Sequence, residues 1–359
     1  MKWRDFGFLL AFTMALLPLA AKALWQSGLS PDLAAWFPLA FVFGLVPLID
    51  ASVGRSLQNW NTPAEGRLLE SRRYFRVITW LVVPVWLLTL AWCLQQFVHA
   101  PFGWPGRLGW ILSTGVLGGA LAINTAHELI HKSGRLEPAL GGLLLSSVGY
   151  HGFKIEHVRG HHVHVATPED SSSARLGESV YAFVPRALWL NVRNAWILEW
   201  RRLRQRRHSP WSWRNEMLRW SLLWITLAAL AWAWASWRGL AFFLAQGLVA
   251  AATLEIINYV EHYGLERRQI APGRYERVSH KHSWNTPQRY TNWLLFNLQR
   301  HSDHHAHARR RYQALLHHQD SPQLPTGYSG MLLLALCTPL WRRIMDPRAI
   351  AYRRNQAAS

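Results

Sequence analysis

Apolar segments of membrane-spanning length alternate with strongly basic segments along this chain. A helix needs ~20 apolar residues to cross a hydrocarbon core ~30 Å thick. Six segments come close to that length, at residues 6–25, 33–49, 77–98, 108–126, 217–237 and 240–260. Because backbone polar groups find no water inside a bilayer, each segment is expected to be helical. The pattern predicts an all-α, polytopic membrane protein with six transmembrane helices.

The distribution of Lys and Arg predicts the orientation. Five lie in residues 51–76, thirteen in 127–216 and fifteen after residue 262, whereas the loop 26–32 has none. The positive-inside rule then places both termini and the active site in the cytoplasm, beneath a bacterial-type inner membrane. Segments 127–216 and 261–359 form the expected cytoplasmic cap of a single domain, 1–359. The net charge of +19 does not indicate nucleic-acid binding, because the basic residues alternate with apolar spans.

The chain has two cysteines, Cys93 and Cys337, and no C-x-x-C pair. Neither a cysteine-based metal site nor a disulfide framework is expected. No flavin or nicotinamide fingerprint is present either, so electrons for any redox reaction are expected to come from another protein.

Histidines are concentrated in four clusters near the predicted cytoplasmic ends of spans. Within a cluster, spacings of three to five residues favour one face of a helix. His164 and His307 lie outside this set, and His164 is out of phase with its neighbours. The four clusters are His127 and His131; His157, His161 and His162; His262; and His301, His304 and His305.

Nine imidazoles exceed the about four to six ligands of one metal and therefore predict two metals. A nitrogen-rich site without thiolates favours iron. A competing interpretation is an intramembrane zinc protease that uses HELIH, with Glu128 as its base. It accounts for only two of the nine histidines. A metal transporter would need such residues across the middle of the membrane, whereas these gather at one face.

Acidic and amide side chains near the histidines are candidates to orient them, since metal-bound histidines usually donate their second N–H to such groups. An acid within a span, such as Glu255, is costly and therefore also a functional candidate. The candidates are Glu128, Asp170, Glu255, Asn258, Glu261 and Asp303. Arg309, Arg310 and Arg311 follow the last cluster and are candidates to dock an acidic electron carrier.

Two redox-active irons at the base of an apolar bundle suit oxidation of a hydrophobic substrate taken from the bilayer. Dioxygen is the expected co-substrate, and a dry cavity protects the reaction from water. Two electrons then have to arrive from outside the chain.

The motifs carry a family resemblance. They are NTAHELIHK at 124–132, EHVRGHH with VATPEDSSSAR within 156–175, NYVEHYGLER at 258–267 and LQRHSDHHAHARRRYQ at 298–313. With these motifs the chain resembles the integral-membrane non-haem di-iron alkane 1-monooxygenases of the fatty-acid desaturase/hydroxylase superfamily. The similarity extends over most of the sequence. Ala308 and Ser171 depart from the family, which often has Pro at both positions.

The resemblance implies terminal hydroxylation of medium- to long-chain n-alkanes to 1-alkanols. It also implies electrons from rubredoxin, supplied by an NADH-dependent reductase, with no haem, flavin or NAD bound by this chain. The nine histidines named above correspond to the family's ligands. An aryl-methyl (xylene-type) monooxygenase or a lipid desaturase on the same scaffold is the nearest alternative.

Overall fold

The computed structural model describes residues 3–358, so residues 1, 2 and 359 of the predicted domain lie outside the described part. Helices dominate. The α-helices are Thr13–Gln26, Pro31–Ala34, Phe37–Ala40, Val46–Val53, Pro63–Ser71, Arg73–His99, Trp104–Gly118, Asn124–Ile130, Leu136–Ser147, Phe153–Glu156, His162–His164, Val180–Gln205, Glu216–His262, Arg289–Leu294, His301–Ala306, Tyr328–Leu336 and Thr338–Ala358. Two 3-10 helices span Trp3–Phe12 and Tyr312–Ala314, and three π-helical segments span Phe41–Leu45, Gly119–Ile123 and His157–His161.

A small hairpin is the exception to the predicted all-α fold. Strand Gln269–Ala271 pairs antiparallel with Arg274–Tyr275. Gly273 has φ +68°, a left-handed conformation that suits glycine in a tight turn. The hairpin lies between the last long apolar helix and the last histidine cluster and leaves the helical architecture intact.

Four helices are long and apolar enough to cross a membrane: Arg4–Gln26, Arg73–His99, Trp104–Ile130 and Glu216–His262. The first three match the predicted first, third and fourth spans. The predicted second span is divided between the short helix Pro31–Ala34 and the apolar helix Phe37–Val53. The apolar helix is shorter than 18 residues and is therefore not among the four. Six separate spanning helices are therefore confirmed only in part.

The predicted fifth and sixth spans lie within one 47-residue helical element, Glu216–His262, which is broken in its middle. Ala235 and Ser236 have non-helical backbone angles, and Ser236 has φ +54°. A straight helix of this length would be roughly 70 Å long. Both ends of the element nevertheless contact the same short segment of the chain. Glu216 pairs with Arg159 at 2.9 Å, and the ring centroid of His262 lies 4.8 Å from that of His161, two residues after Arg159. The element is a helical hairpin with two antiparallel legs.

Glycines allow the helices that carry the site to approach closely. A Cβ atom on Gly115 would lie 2.4 Å from Cβ of Val249 on the second leg of the hairpin. Trp86, which packs next to Gly118 on the same helix as Gly115, is fully buried. Its indole N–H donates a hydrogen bond to the hydroxyl of Ser147 at 2.8 Å. This bond ties the short helix Leu136–Ser147 to the bundle. The bundle is consequently closed around its apolar core.

The outer faces of the long helices expose large apolar side chains. Leu16, Val77, Leu88, Leu230 and Leu248 are each more than 40% exposed. Large contiguous apolar surface is uncommon on soluble proteins and marks contact with lipid or another protein. With the four long helices, it supports a membrane protein. Cys93 is buried and Cys337 exposed, and both are free thiols.

Gly115→Ala is expected to destabilise the bundle by about 1–3 kcal/mol, because the added methyl group overlaps Val249. The measurement is the thermal unfolding midpoint in detergent. Gly44→Ala is the matched control, since a Cβ there meets no atom within 4 Å. Equal midpoints for the two variants would contradict this packing.

Candidate metal centre

The structure brings all nine histidines together at one end of the helical bundle. They form two groups, and within each group one ligand atom from every residue lies within 4.8 Å of the others. The five-histidine group is His127, His131, His157, His162 and His304. The four-histidine group is His161, His262, His301 and His305.

A π-helical segment divides the EHVRGHH motif between the two groups. Residues His157–His161 are π-helical, and in a π-helix residues five apart are neighbours along the axis. His157 and His162 therefore meet, with their Nε2 atoms 3.1 Å apart. His161 points to the other group, where its Nε2 atom lies 3.2 Å from Nε2 of His305.

The helix His301–Ala306 also serves both groups. His301 and His305, four residues apart, approach each other with their Nε2 atoms at 2.9 Å. His304 is rotated away from them and lies 4.4 Å from the ring of His127 in the five-histidine group. The spacing had suggested that the three side chains form one half-site on a single face. Instead, His301 and His305 belong to the four-histidine group and His304 belongs to the five-histidine group.

The donor atoms fit two cations. Nε2 of His301 lies 3.3 Å from Nε2 of His262, extending the run of converging nitrogens in the four-histidine group. In the five-histidine group, Nε2 of His127, His131 and His304 is buried and has no hydrogen-bond partner within residues 3–358. Buried polar atoms without partners are costly. Converging imidazole lone pairs are the donor set that transition metals take.

Burial favours the neutral form of these rings, with the exception of His161, and neutral imidazole is the form that binds metal. Desolvation, reinforced by the neighbouring rings, lowers the pKa well below 6.5 for His131, His157, His162, His301, His304 and His305. Protons therefore compete weakly with a metal for these nitrogens at neutral pH.

Asp170 orients one histidine. Its Oδ2 atom accepts a hydrogen bond from Nδ1 of His161 at 2.9 Å, and both side chains are fully buried. Burial disfavours the charged ring, but the carboxylate outweighs this and raises the pKa of His161. The bond also fixes the tautomer, so that Nε2 of His161 presents its lone pair to the four-histidine group.

The carboxylate of Glu261 lies on the side of the four-histidine group towards which the ring nitrogens converge. Its Oε2 atom is 3.1 Å from Nε2 of His301. Its other oxygen accepts a hydrogen bond from the hydroxyl of Tyr328 at 2.6 Å. The carboxylate therefore faces the same space as the imidazole nitrogens, where it can act as an additional oxygen ligand or as a base.

The other predicted orienting residues contact different partners. Tyr150 and Asn258 both donate to Glu255, and Nδ2 of Asn258 is 3.2 Å from the carboxylate. Glu128 pairs with Lys132 at 2.9 Å. Asp303 is held by Arg310, by His318 and by the backbone N–H of Leu316. The contacts of Glu128 with Lys132 and of Asn258 with Glu255 are local, whereas those of Glu255 with Tyr150 and of Asp303 with His318 connect separate segments around the site.

The three arginines after the last cluster have different environments. Arg310 pairs with Asp303 and Arg311 with Glu137, the latter at 2.9 Å, while Arg309 is exposed. A surface pocket beside them reaches His131; its basic lining residues are Arg67, Arg76, Lys132, Arg309 and Arg311. Only part of the predicted basic patch is therefore free to meet a partner.

Two neighbours of the histidines were not among the residues predicted from the sequence. Glu156 is buried, accepts a hydrogen bond from Ser171 at 2.5 Å, and has its pKa raised by burial to about 8. The backbone carbonyl of His282 accepts a hydrogen bond from Nδ1 of His262 at 3.4 Å. An acid directly before His157 was a detectable signal for Glu156, but a loop carbonyl leaves no trace in the sequence.

An apolar pocket lies in the bundle, and one of its lining residues, Tyr328, donates a hydrogen bond to Glu261 beside the four-histidine group. Three of its lining residues, Asn124, Ile257 and Leu298, precede His127, His262 and His301 along the chain by three to five residues. Farther into the bundle it is lined by Met14, Val46, Val116, Thr253 and Leu294.

Comparisons with known proteins agree with this geometry. Residues 102–333 match the fatty acid desaturase family. The chain is 52% identical to alkane 1-monooxygenase 1 of Pseudomonas aeruginosa, over 91% of this chain and 87% of the relative. It is 46% identical to alkane 1-monooxygenase 2 of Alcanivorax borkumensis, over 98% and 92% of the two chains.

A more distant relative represents the aryl-methyl alternative. The hydroxylase component of the xylene/toluene monooxygenase of Pseudomonas putida is 30% identical over 65% of this chain and 62% of the relative. The alkane relatives are more similar and cover more of the sequence. The chain therefore belongs to the fatty acid desaturase family and, within it, to the alkane 1-monooxygenases.

Proposed function

We propose that this protein hydroxylates the terminal carbon of medium- to long-chain n-alkanes at two irons held by the nine histidines. The observation that carries the proposal is the position of the two histidine groups, next to an apolar pocket inside the bundle. The similarity to alkane 1-monooxygenases supports the same reaction.

The five-histidine group would hold one iron and the four-histidine group, with Glu261 beside it, the other. Bound there, the irons would supply the redox chemistry that uses O2 and two electrons. The overall balance is R–CH3 + O2 + 2e⁻ + 2H⁺ → R–CH2OH + H2O. One oxygen atom enters the terminal C–H bond, and the other leaves as water.

The residues of the chain position the substrate and exclude water. The apolar pocket would receive the hydrocarbon, with the reacting chain end directed towards Asn124 and Tyr328, because Tyr328 contacts Glu261 beside the histidines. Nδ2 of Asn124 is buried and has no hydrogen-bond partner among the described residues, so a polar group is available at that end. Tyr328 keeps the carboxylate of Glu261 directed at His301.

We further propose that the chain crosses the inner membrane six times. The short apolar helix Phe37–Val53 would be the second crossing, and the two legs of Glu216–His262 the fifth and sixth. This count places both termini and all nine histidines on the cytoplasmic side, in agreement with the positive-inside rule. The whole chain would act as one membrane-embedded domain.

An external electron carrier is required, and we propose a rubredoxin, reduced by an NADH-dependent reductase. The pocket lined by Arg67 and Arg309 is the proposed docking site, because it is basic and reaches His131. Arg311 lines this pocket and Arg310 does not, and neither would contact the carrier, since both are engaged in ion pairs.

The protease alternative is disfavoured by the environment of Glu128. A zincin base has to face the metal-bound water, but this carboxylate pairs with Lys132 and lies 3.4 Å from the backbone N–H of Tyr312. The transporter alternative is disfavoured because the nine histidines gather at one end of the bundle.

Membranes containing the protein, NADH and its redox partners should convert octane, dodecane or hexadecane to 1-alkanols. The expected products follow from a pocket that presents a chain end to the metal centre. Gas chromatography with mass spectrometry identifies them, and xylene is the comparison substrate. Olefinic or benzylic products alone would instead support a desaturase or an aryl-methyl monooxygenase.

Replacing one histidine from each group, His304→Ala or His305→Ala, should lower bound iron below two per chain and reduce turnover more than ~100-fold, because each ring is lost from a buried donor set. Iron is measured by elemental analysis of purified protein. His164→Ala is the control, since His164 pairs with Glu169 at the surface. Normal iron content in both group variants would refute the assignment.

Arg309→Glu should raise the carrier concentration needed for half-maximal turnover by about tenfold, while turnover at saturating carrier is unchanged, because an exposed charge affects encounter more than chemistry. The effect should shrink as salt is added. Arg206→Glu makes the same charge change at another exposed position. Equal effects of both variants would argue against this docking site.

A further inference from the structure

A third group of metal-ligand side chains lies outside the nine histidines. We propose that His280, His318 and Asp320, the surface histidine cluster, bind a divalent transition metal of the zinc class. One ligand atom from each of the three residues lies within 4.8 Å of the others. This site is separate from the oxidation chemistry and does not depend on the identity of the metals held by the nine histidines.

The contacts within the surface histidine cluster already bring its donor atoms together. Nε2 of His280 is 2.7 Å from Oδ2 of Asp320. The rings of His280 and His318 stack, with centroids 4.5 Å apart and an interplanar angle of 10°. Because the His280 side chain is 29% exposed, its ring has room to rotate from this stack into shared coordination.

A buried carboxylate orients His318 as a ligand. Nε2 of His318 donates to Oδ1 of Asp303 at 2.9 Å, and the Asp303 side chain is fully buried. Arg310 and the backbone N–H of Leu316 hold the same carboxylate in place. With its proton on Nε2, the neutral ring of His318 carries its lone pair on Nδ1. Carboxylate–histidine–metal arrangements of this kind are usual at metal sites.

The donor set indicates the class of metal. Two imidazoles and one carboxylate, with a further position open to water, suit Zn²⁺ and also accept Co²⁺ and Ni²⁺. The oxygen-seeking ions Ca²⁺ and Mg²⁺ would prefer more carboxylate and carbonyl ligands than the surface histidine cluster supplies.

A metal bound here would connect the two loops that support the main centre. His280 lies two residues before His282, whose backbone carbonyl accepts a hydrogen bond from His262. His318 holds Asp303, which belongs to the helix that carries His301, His304 and His305. Linking the loops around residues 280 and 318 would therefore stiffen the supports of both histidine groups. We infer that the metal acts as a structural clip.

The test is zinc binding to purified, iron-loaded protein. Isothermal titration should detect one Zn²⁺ per chain beyond the iron, and elemental analysis should find no iron released. The thermal midpoint should rise with zinc concentration, because a ligand that binds only the folded state stabilises it. Co²⁺ should give the absorption spectrum of a low-coordinate nitrogen and oxygen site.

The double variant His280→Ala/His318→Ala should weaken zinc affinity at least ~100-fold and abolish the thermal shift. Asp320→Asn, a change at a 62% exposed side chain, should weaken zinc affinity without affecting folding. His164→Ala removes a different surface histidine–carboxylate pair, at 3.0 Å, and should leave zinc affinity unchanged. Unchanged affinity in the double variant, or zinc uptake matched by loss of iron, would overturn the proposal.

Discussion

The packing of nine imidazole rings with converging lone pairs, eight of them on buried residues, is the constraint on which the rest of this structure depends. Donor atoms without partners are costly in a dry interior. Burial lowers the pKa of rings such as His157, His304 and His305, whereas the pKa of His161 is raised, so protons compete weakly for most of these donor atoms. Cations resolve this cost. The surrounding elements therefore have to hold rings from four separate chain segments in register, which requires rigid helices rather than loops.

Three devices provide that rigidity. The π-helical segment His157–His161 directs neighbouring histidines to different groups. The break at Ser236 folds a 47-residue helical element back on itself, so that His262 reaches the same end of the bundle as Glu216. Ion pairs between distant segments, such as Arg311 with Glu137, hold the elements that carry the rings. Each device has a local energetic cost, and the packed bundle around it compensates.

The site has polar side chains around the histidines and an apolar pocket within the bundle. This division suits a reaction in which a hydrocarbon is oxidised at a metal centre. Apolar side chains such as Val116 and Leu294 line the pocket within the bundle. The carboxylates of Asp170 and Glu261 lie on the histidine side, where each contacts an imidazole nitrogen.

The helical class, four helices of membrane-spanning length and the nine histidines that converge could be predicted from the sequence, because hydrophobic length and side-chain spacing are local properties. Tertiary structure alone decided how those histidines divide, since the π-helical turn at His157 and the rotation of His304 depend on packing. The packing also determines that Asp170 orients one of the nine histidines whereas Asp303 contacts His318 outside that set, and that Arg310 and Arg311 are paired internally. Such contacts join residues distant in sequence, and their geometry is fixed only when the helices pack together.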